Sequence, residues 1–322
     1  FETPQLNRLA EEGMLFTRMY TEVGCTPSRA ACATGRLAVR SGMYNIGMLR
    51  ESHGMRGEEV TIAEVLGEVG YATAFHGKWH LGDIEESYPH NQGFDETLFT
   101  PYNQVLSLWN QTGEGANAVQ GVMSDMLPDD PYEVDKTFGA SDWIMSMEGT
   151  KGGETLEWKS SSVEDYYAID PECQKRAHEF IRRNAESDTP FYAAYWPNMV
   201  GFIPMPQKST VARGLLAEGF TTFVDPFLGN LMDQLNELGI AENTLVVAHA
   251  DNGPMVHDPP PGLGMNETVF RGGKSDYWEG GIRVAAFAWW PGMIEPGSVV
   301  GDMFHEVDLY TTFARLAGAT DN

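Results

Sequence analysis

The chain has 322 residues, 42% of them hydrophobic, and sets 46 acidic side chains against 21 basic ones for a formal net charge of −25. That apolar content can bury a large core, as one extended α/β domain or one domain with a minor appendage. The charge excludes a nucleic-acid binder, because phosphate contacts need clustered Lys and Arg and no long basic run occurs here. Any anion site must therefore gather its positive charge locally. No apolar stretch approaches the roughly 20 residues needed to span a bilayer. Residues 1–10 lack the basic start, apolar centre and small-residue cleavage site of a signal peptide. Cys25, Cys32 and Cys173 are too few for a disulfide framework and lack zinc-ligand spacing.

In chain order, residues 4–12 read as a short amphipathic helix with Leu6, Leu9 and Ala10 on one face, and residues 14–20 as a strand. A turn delivers Cys25, and residues 26–33 suit a helix with Thr26 as N-cap, Pro27 at its first position and Gly35 as its stop. Residues 60–69 form an apolar-faced helix closed by Gly70 and followed by a strand over 71–75. The same alternation returns twice: helix 173–185 with strand 191–196, then helix 226–238 with strand 244–248. A strand over 283–290 and a helix over 307–317 complete the series. Helices alternating with buried strands predict an α/β fold, a doubly wound, mostly parallel sheet flanked by helices, with ligands at the carboxyl ends of the strands. The span 101–167, rich in Gly, Asp, Ser and Met, reads as a loop-rich excursion from a single domain covering 1–322. Gly113-Glu114-Gly115 has no preceding strand and reads as plain loop, and Asn110 and Asn266 head sequons of a kind that arises often by chance.

Three strand-end or helix-start segments hold polar residues without a packing role. In Cys25-Thr26-Pro27-Ser28-Arg29, a helix N-terminus offers N–H groups and a positive dipole end to an anion or a thiolate, with Arg29 one turn in; a buried structural cysteine is the alternative. In Gly77-Lys78-Trp79-His80, an extended chain would put Lys78 and His80 on one side, a cation beside a proton carrier. In Asp251-Asn252-Gly253, carboxylate and amide oxygens suit a hard cation that needs further oxygen ligands. Lys274 lies on a glycine-loosened loop.

Taken in order, these segments resemble the sulfatase family of the alkaline-phosphatase superfamily, in particular bacterial arylsulfatases. Residues 25–29 match the family's Cys-x-Pro-Ser-Arg signature. Gly70 to Thr73 with Gly77 to Gly82 match its second signature. Asp251-Asn252-Gly253 and the Gly273-Lys274 to Arg283-Val284 stretch complete the series. The resemblance implies sulfate ester hydrolysis in which a maturation enzyme oxidises Cys25 to formylglycine, hydrated to a geminal diol. It implies that one hydroxyl attacks sulfur while Lys274 and a divalent cation, Ca²⁺ or Mg²⁺, polarise the sulfate oxygens. Arg29 and Lys78 would hold the diol, and His80 would take the proton of the second hydroxyl as sulfate leaves. Asp251, Asn252 and the modified Cys25 would ligate the cation, and Lys78 and Lys274 would bind substrate. It also implies a small-molecule or carbohydrate sulfate ester as substrate and a periplasmic or secreted setting. Two departures stand out. The family's N-terminal strand with paired Asp residues and its small C-terminal sheet are expected to be absent from this chain. The His that the family places after strand 191–196 has no counterpart in residues 197–204. A phosphonate or phosphate ester hydrolase of the same superfamily is the near rival, and a noncatalytic anion-binding relative the distant one.

Overall fold

The structure is a computed structural model that describes residues 2–47, 54–102, 146–158, 163–198, 224–254 and 269–319. In chain order its main elements are α1 (Pro4–Glu12), β1 (Met14–Tyr20), α2 (Cys25–Thr34), α3 (Ala38–Ser41), α4 (Ile62–Glu68), β2 (Ala72–Lys78), β3 (Glu96–Thr100), β4 (Met147–Thr150) and β5 (Leu156–Glu157). They continue as α5 (Val163–Glu186), β6 (Phe191–Trp196), α6 (Asp225–Glu237), β7 (Val246–His249), α7 (Glu279–Ile282), β8 (Arg283–Trp289), β9 (Ser298–Val300), β10 (Phe304–His305) and α8 (Val307–Leu316). Among the described residues no helix is long and apolar enough to cross a membrane.

The strands form two five-stranded sheets. One runs β10-β1-β8-β7 with β9 also on β1, and the other runs β5-β4-β3-β2-β6. The α/β class read from the sequence stands, and the pairing within the sheets is mixed. Where a helix carries the chain back, as α4 does into β2 and α5 into β6, β2 and β6 pair in parallel, and so do β2 and β3. β8 runs antiparallel to both β1 and β7. β4 and β5 pair antiparallel on the far edge of the second sheet, so the last part of the span read as loop is ordered. Within that span residues 163–167 open α5, whereas 103–145 and 159–162, with Asn110 and Gly113 to Gly115, lie outside the described residues, as do Asn266 and residues 199–204.

The packing positions the site. Leu9 of α1, Ile181 of α5, Met232 and Leu235 of α6, Val246 of β7 and Trp289 of β8 form one buried cluster, against which Phe191 and Ala193 of β6 pack. Each such side chain contributes about 1.5–3 kcal/mol by leaving water. On the opposite face of β7 and β8, Met19, Val284, Ala286 and Leu309 enclose Val247 and Cys32 of α2. Phe75, Trp79, Phe94 and Phe99 make a third cluster at β2 and β3, with Phe75 edge-on to Trp79 at 4.9 Å. The α2 helix is thus clamped between both sheets, and its first residue is Cys25.

Candidate active site

The N-cap of α2 is Gly24, without a side-chain cap bond, and Gly35 in the left-handed region closes the helix by donating to Ala31 O. Thr26, expected as the cap, has other work. Its Oγ1 donates to His80 O at 3.0 Å and accepts from Gly47 N at 2.9 Å, stapling the start of α2 to the chain beyond β2. Cys25 is therefore the first helical residue rather than the one before it, and it is 2% exposed.

Lys274 Nζ donates to Cys25 Sγ at 2.8 Å. The loop that carries it is fixed at both sides: Lys274 N donates to Pro254 O and Ser275 N to Val23 O, each at 2.8 Å. Burial pushes the Cys25 thiol up, but Lys274, Lys78 and Arg29 outweigh that and Asp251, and hold it below the usual thiol range. Arg29 reaches Asp251 Oδ2 through Nε at 3.1 Å and Nη2 at 2.9 Å, and donates through Nη1 to Lys78 O. Its guanidinium lies 5.0 Å from the ring centroid of Trp196, a cation–π contact. Burial would raise the Asp251 carboxyl, yet Arg29, Lys78 and Lys274 together hold it well below the usual carboxylate range.

Lys78 ends β2 and is buried. Burial, with Arg29 and Lys274 in the same direction, lowers its amine to about 8 against the pull of Cys25 and Asp251. The chain does not stay extended to His80, whose φ is 62°, so the shared side predicted for Lys78 and His80 does not arise from strand alternation. Instead His80 is held by its ring: Nε2 lies 3.0 Å from Gly47 O, and Tyr102 packs edge-on at 5.4 Å. Burial, then Lys78 and Arg29, lowers its pKa well below the usual imidazole value, so the ring is neutral. A neutral ring donating from Nε2 keeps its lone pair on Nδ1, which is buried without a partner among the described residues.

Backbone proximity completes the pocket. Gly77 has φ 110°, and a Cβ there would stand 2.0 Å from Trp196 O, so β2 and β6 meet at this height only with glycine. A Cβ on Gly253 would stand 1.8 Å from Gly280 O, which brings the turn after β7 against α7.

Cys25, Arg29, Lys78, His80, Asp251 and Lys274 thus share one network of contacts. Asn252 adjoins it: its Nδ2 donates to Gly253 O at 2.8 Å, and its Oδ1 is buried and unpartnered among the described residues. Asp251 and Asn252 offer the hard oxygen donors that Ca²⁺ or Mg²⁺ takes, and the orphaned Oδ1 fits such a ligand. They are two of the six or so oxygens required, and the described residues contain no group of three or more His, Cys, Asp or Glu arranged around a metal. Sequence reasoning missed Thr26 as a staple and Trp196 as the lid on Arg29, although a Trp at a strand's carboxyl end was a signal.

A family model described as Sulfatase matches residues 1–198 and 218–319. Arylsulfatase A of Homo sapiens is 34% identical over 331 residues, covering 98% of this chain and 59% of that protein. The crystal structure of PsFucS1 sulfatase from Pseudoalteromonas sp. superposes with a TM-score of 0.83 at 32% identity, covering 99% of this chain and 62% of that one. That of Ps i-CgsB in complex with k-i-k-neocarrahexaose gives a TM-score of 0.72 at 25% identity, with 99% and 67% covered. The chain thus spans about three fifths of the length of the first of these relatives, 59%.

Proposed function

The chain belongs to the sulfatase family, and from that premise we propose that the pocket at Cys25 hydrolyses sulfate esters through a formylglycine made from Cys25, with Ca²⁺ or Mg²⁺ beside it. The observation that carries this reading is the arrangement of Lys274, Lys78 and Arg29 around one buried cysteine at a helix N-terminus. A chain with a net charge of −25 has concentrated its cations where a tetrahedral oxyanion and its developing charge would sit. When present, the formyl group supplies a hydrated nucleophile and the cation a Lewis acid.

The residues of the chain have separable tasks. Lys274 Nζ, 2.8 Å from the side-chain atom of residue 25, is placed to donate to an oxygen carried there and to a sulfate oxygen beside it. Lys78 adds a second positive group under the same atom, and its amine near 8 leaves it mostly protonated at pH 7. Arg29 orients Asp251 and holds the Lys78 carbonyl, so that carboxylate and amine keep fixed places. Asp251 and Asn252, with residue 25, would hold the cation. His80, neutral with Nδ1 unpartnered among the described residues, can accept a proton in the pocket.

Similarity to arylsulfatase A and to Ps i-CgsB, whose structure was determined in complex with k-i-k-neocarrahexaose, supports an aryl or carbohydrate sulfate ester as substrate. A formylglycine-generating enzyme is the maturation partner in this reading, and a periplasmic or secreted location is part of the proposal. The test is hydrolysis of an aryl sulfate and the matching aryl phosphate by protein produced with the maturation enzyme, beside Cys25→Ala. The sulfate should turn over faster and the variant not at all. No turnover of any sulfate ester by fully converted protein, or a clear preference for phosphate, would sink this reading.

A further inference from the structure

Glu306 is fully buried at the N-terminus of α8, and nothing in the chemistry above uses it. Its backbone N–H donates to Tyr20 O and its Oε1 accepts from Glu22 N, both at 3.0 Å, so one residue grips both sides of the corner that leaves β1. Further bonds hold the corner. Thr21 N donates to Ile282 O at 2.8 Å, and Ser28 Oγ of the Cys25 helix donates to Glu22 O at 3.1 Å. Glu22 Oε1 accepts from Ala38 N at 2.9 Å, and Val23 O accepts from Ser275 N, next to Lys274. Of these bonds, the one to Glu22 N is the one made by a side chain from outside the corner and α2.

We infer that Glu306 is the positioning residue of the nucleophile: its carboxyl sets residues 21–24, and through them the distance between residue 25 and Lys274. A buried carboxyl is an expensive way to fill a core site that an apolar side chain would fill better, unless its oxygen is needed as an acceptor. Here Oε1 is used and Oε2 is buried without a partner among the described residues. Burial, with Asp251 and Glu22 adding to it, pushes this carboxyl well above the usual carboxylate range against the Glu22 N–H and the nearby Ser28 hydroxyl. The inference rests on the sulfatase reading for its kinetic consequence and on geometry for the rest.

Glu306→Leu removes the acceptor at similar volume, and Glu306→Gln keeps it. Both are made with the maturation enzyme, checked for fold by thermal melting and for Cys25 conversion by mass spectrometry. They are then assayed on 4-nitrophenyl sulfate with rates normalised to converted protein. Leu should lower kcat about tenfold or more, with KM within about twofold, as expected for a misplaced reacting group. Gln should stay within about threefold of wild type by the same reasoning. A folded Leu variant with wild-type kcat, or a folded Gln variant as impaired as Leu, overturns the inference. Should Leu fail to fold, Glu306→Ser is read by the same criterion. A crystal structure of unconverted Glu306→Leu, or of the Ser variant in its place, supplies the arm independent of turnover. The Cys25 Sγ to Lys274 Nζ separation should lengthen from 2.8 Å, and an unchanged separation refutes the positioning role even if the protein hydrolyses no sulfate ester at all.

Discussion

Replacing Lys78 with Met tests the electrostatics of the pocket through folding, with Cys25 left as the thiol. Lys78 is 5% exposed, and burial is the main reason its amine falls from 10.5 to about 8. A displacement of that size corresponds to about 3 kcal/mol of preference for the neutral amine. Below pH 8 the amine is charged in both states, and this cost to the native state is fully present. Between pH 8 and 10.5 the native protein has lost the proton that the unfolded chain still binds, so stability rises with pH. Above 10.5 the cost is gone. Met fills a similar volume and has no such dependence, so Lys78→Met should be more stable than wild type at pH 7, by up to about 3 kcal/mol. The gap should close steadily toward pH 10. The assay is urea unfolding of both proteins at one-unit intervals from pH 7 to 10. A gap that stays constant across that range, or a wild type that is the more stable at pH 7, would refute the account of Lys78 as a cation held at a cost.

Other substitutions probe the remaining contacts. Lys274→Met removes the donor to residue 25 and should lower kcat of converted protein about 10²–10³-fold with little change in melting temperature, as for loss of one preorganised donor; a loss below about threefold would remove Lys274 from the mechanism. Asp251→Ala takes away both a hard oxygen donor and the partner of Arg29, so bound Ca²⁺ or Mg²⁺ measured by elemental analysis and sulfate ester hydrolysis should fall together. Full activity in that variant would exclude Asp251 from the metal site. Gly77→Ala combines a φ of 110° with a Cβ 2.0 Å from Trp196 O, and should cost about 3 kcal/mol or more in urea unfolding. A cost under about 1 kcal/mol would mean that β2 and β6 do not meet as described.

Much of this architecture was legible because periodicity and punctuation agreed. The helix expected over 60–69 is α4, Ile62–Glu68, and Gly70, with φ 92°, turns it into β2 as read. β1 and the strand 191–196 fall at their expected bounds. The departures have tertiary causes. α5 starts at Val163 and runs through Pro171, whereas the pattern placed its start near Cys173. The buried Asp170 carboxylate accepts from Asn198 N and Nδ2, a long-range bond that local propensity cannot signal. Met147–Thr150 carries a Gly and a Glu and has little strand propensity of its own, yet it pairs with β3. At the site, motif order pointed to Cys25, Arg29, Lys78, His80, Asp251 and Lys274. It could not show that His80 arrives through a left-handed residue, that Thr26 ties it to α2, that Trp196 packs over Arg29, or that Glu306 holds the corner before α2 from a remote part of the chain.

The proposed activity turns on what residue 25 becomes. Protein produced with and without the maturation enzyme should be digested and the peptide containing Cys25 weighed, with hydrolysis of an aryl sulfate measured on the same two samples. The thiol should be replaced by an aldehyde only in the first sample, and activity should rise in proportion to the converted fraction. Full activity in protein whose Cys25 is still a thiol would contradict it.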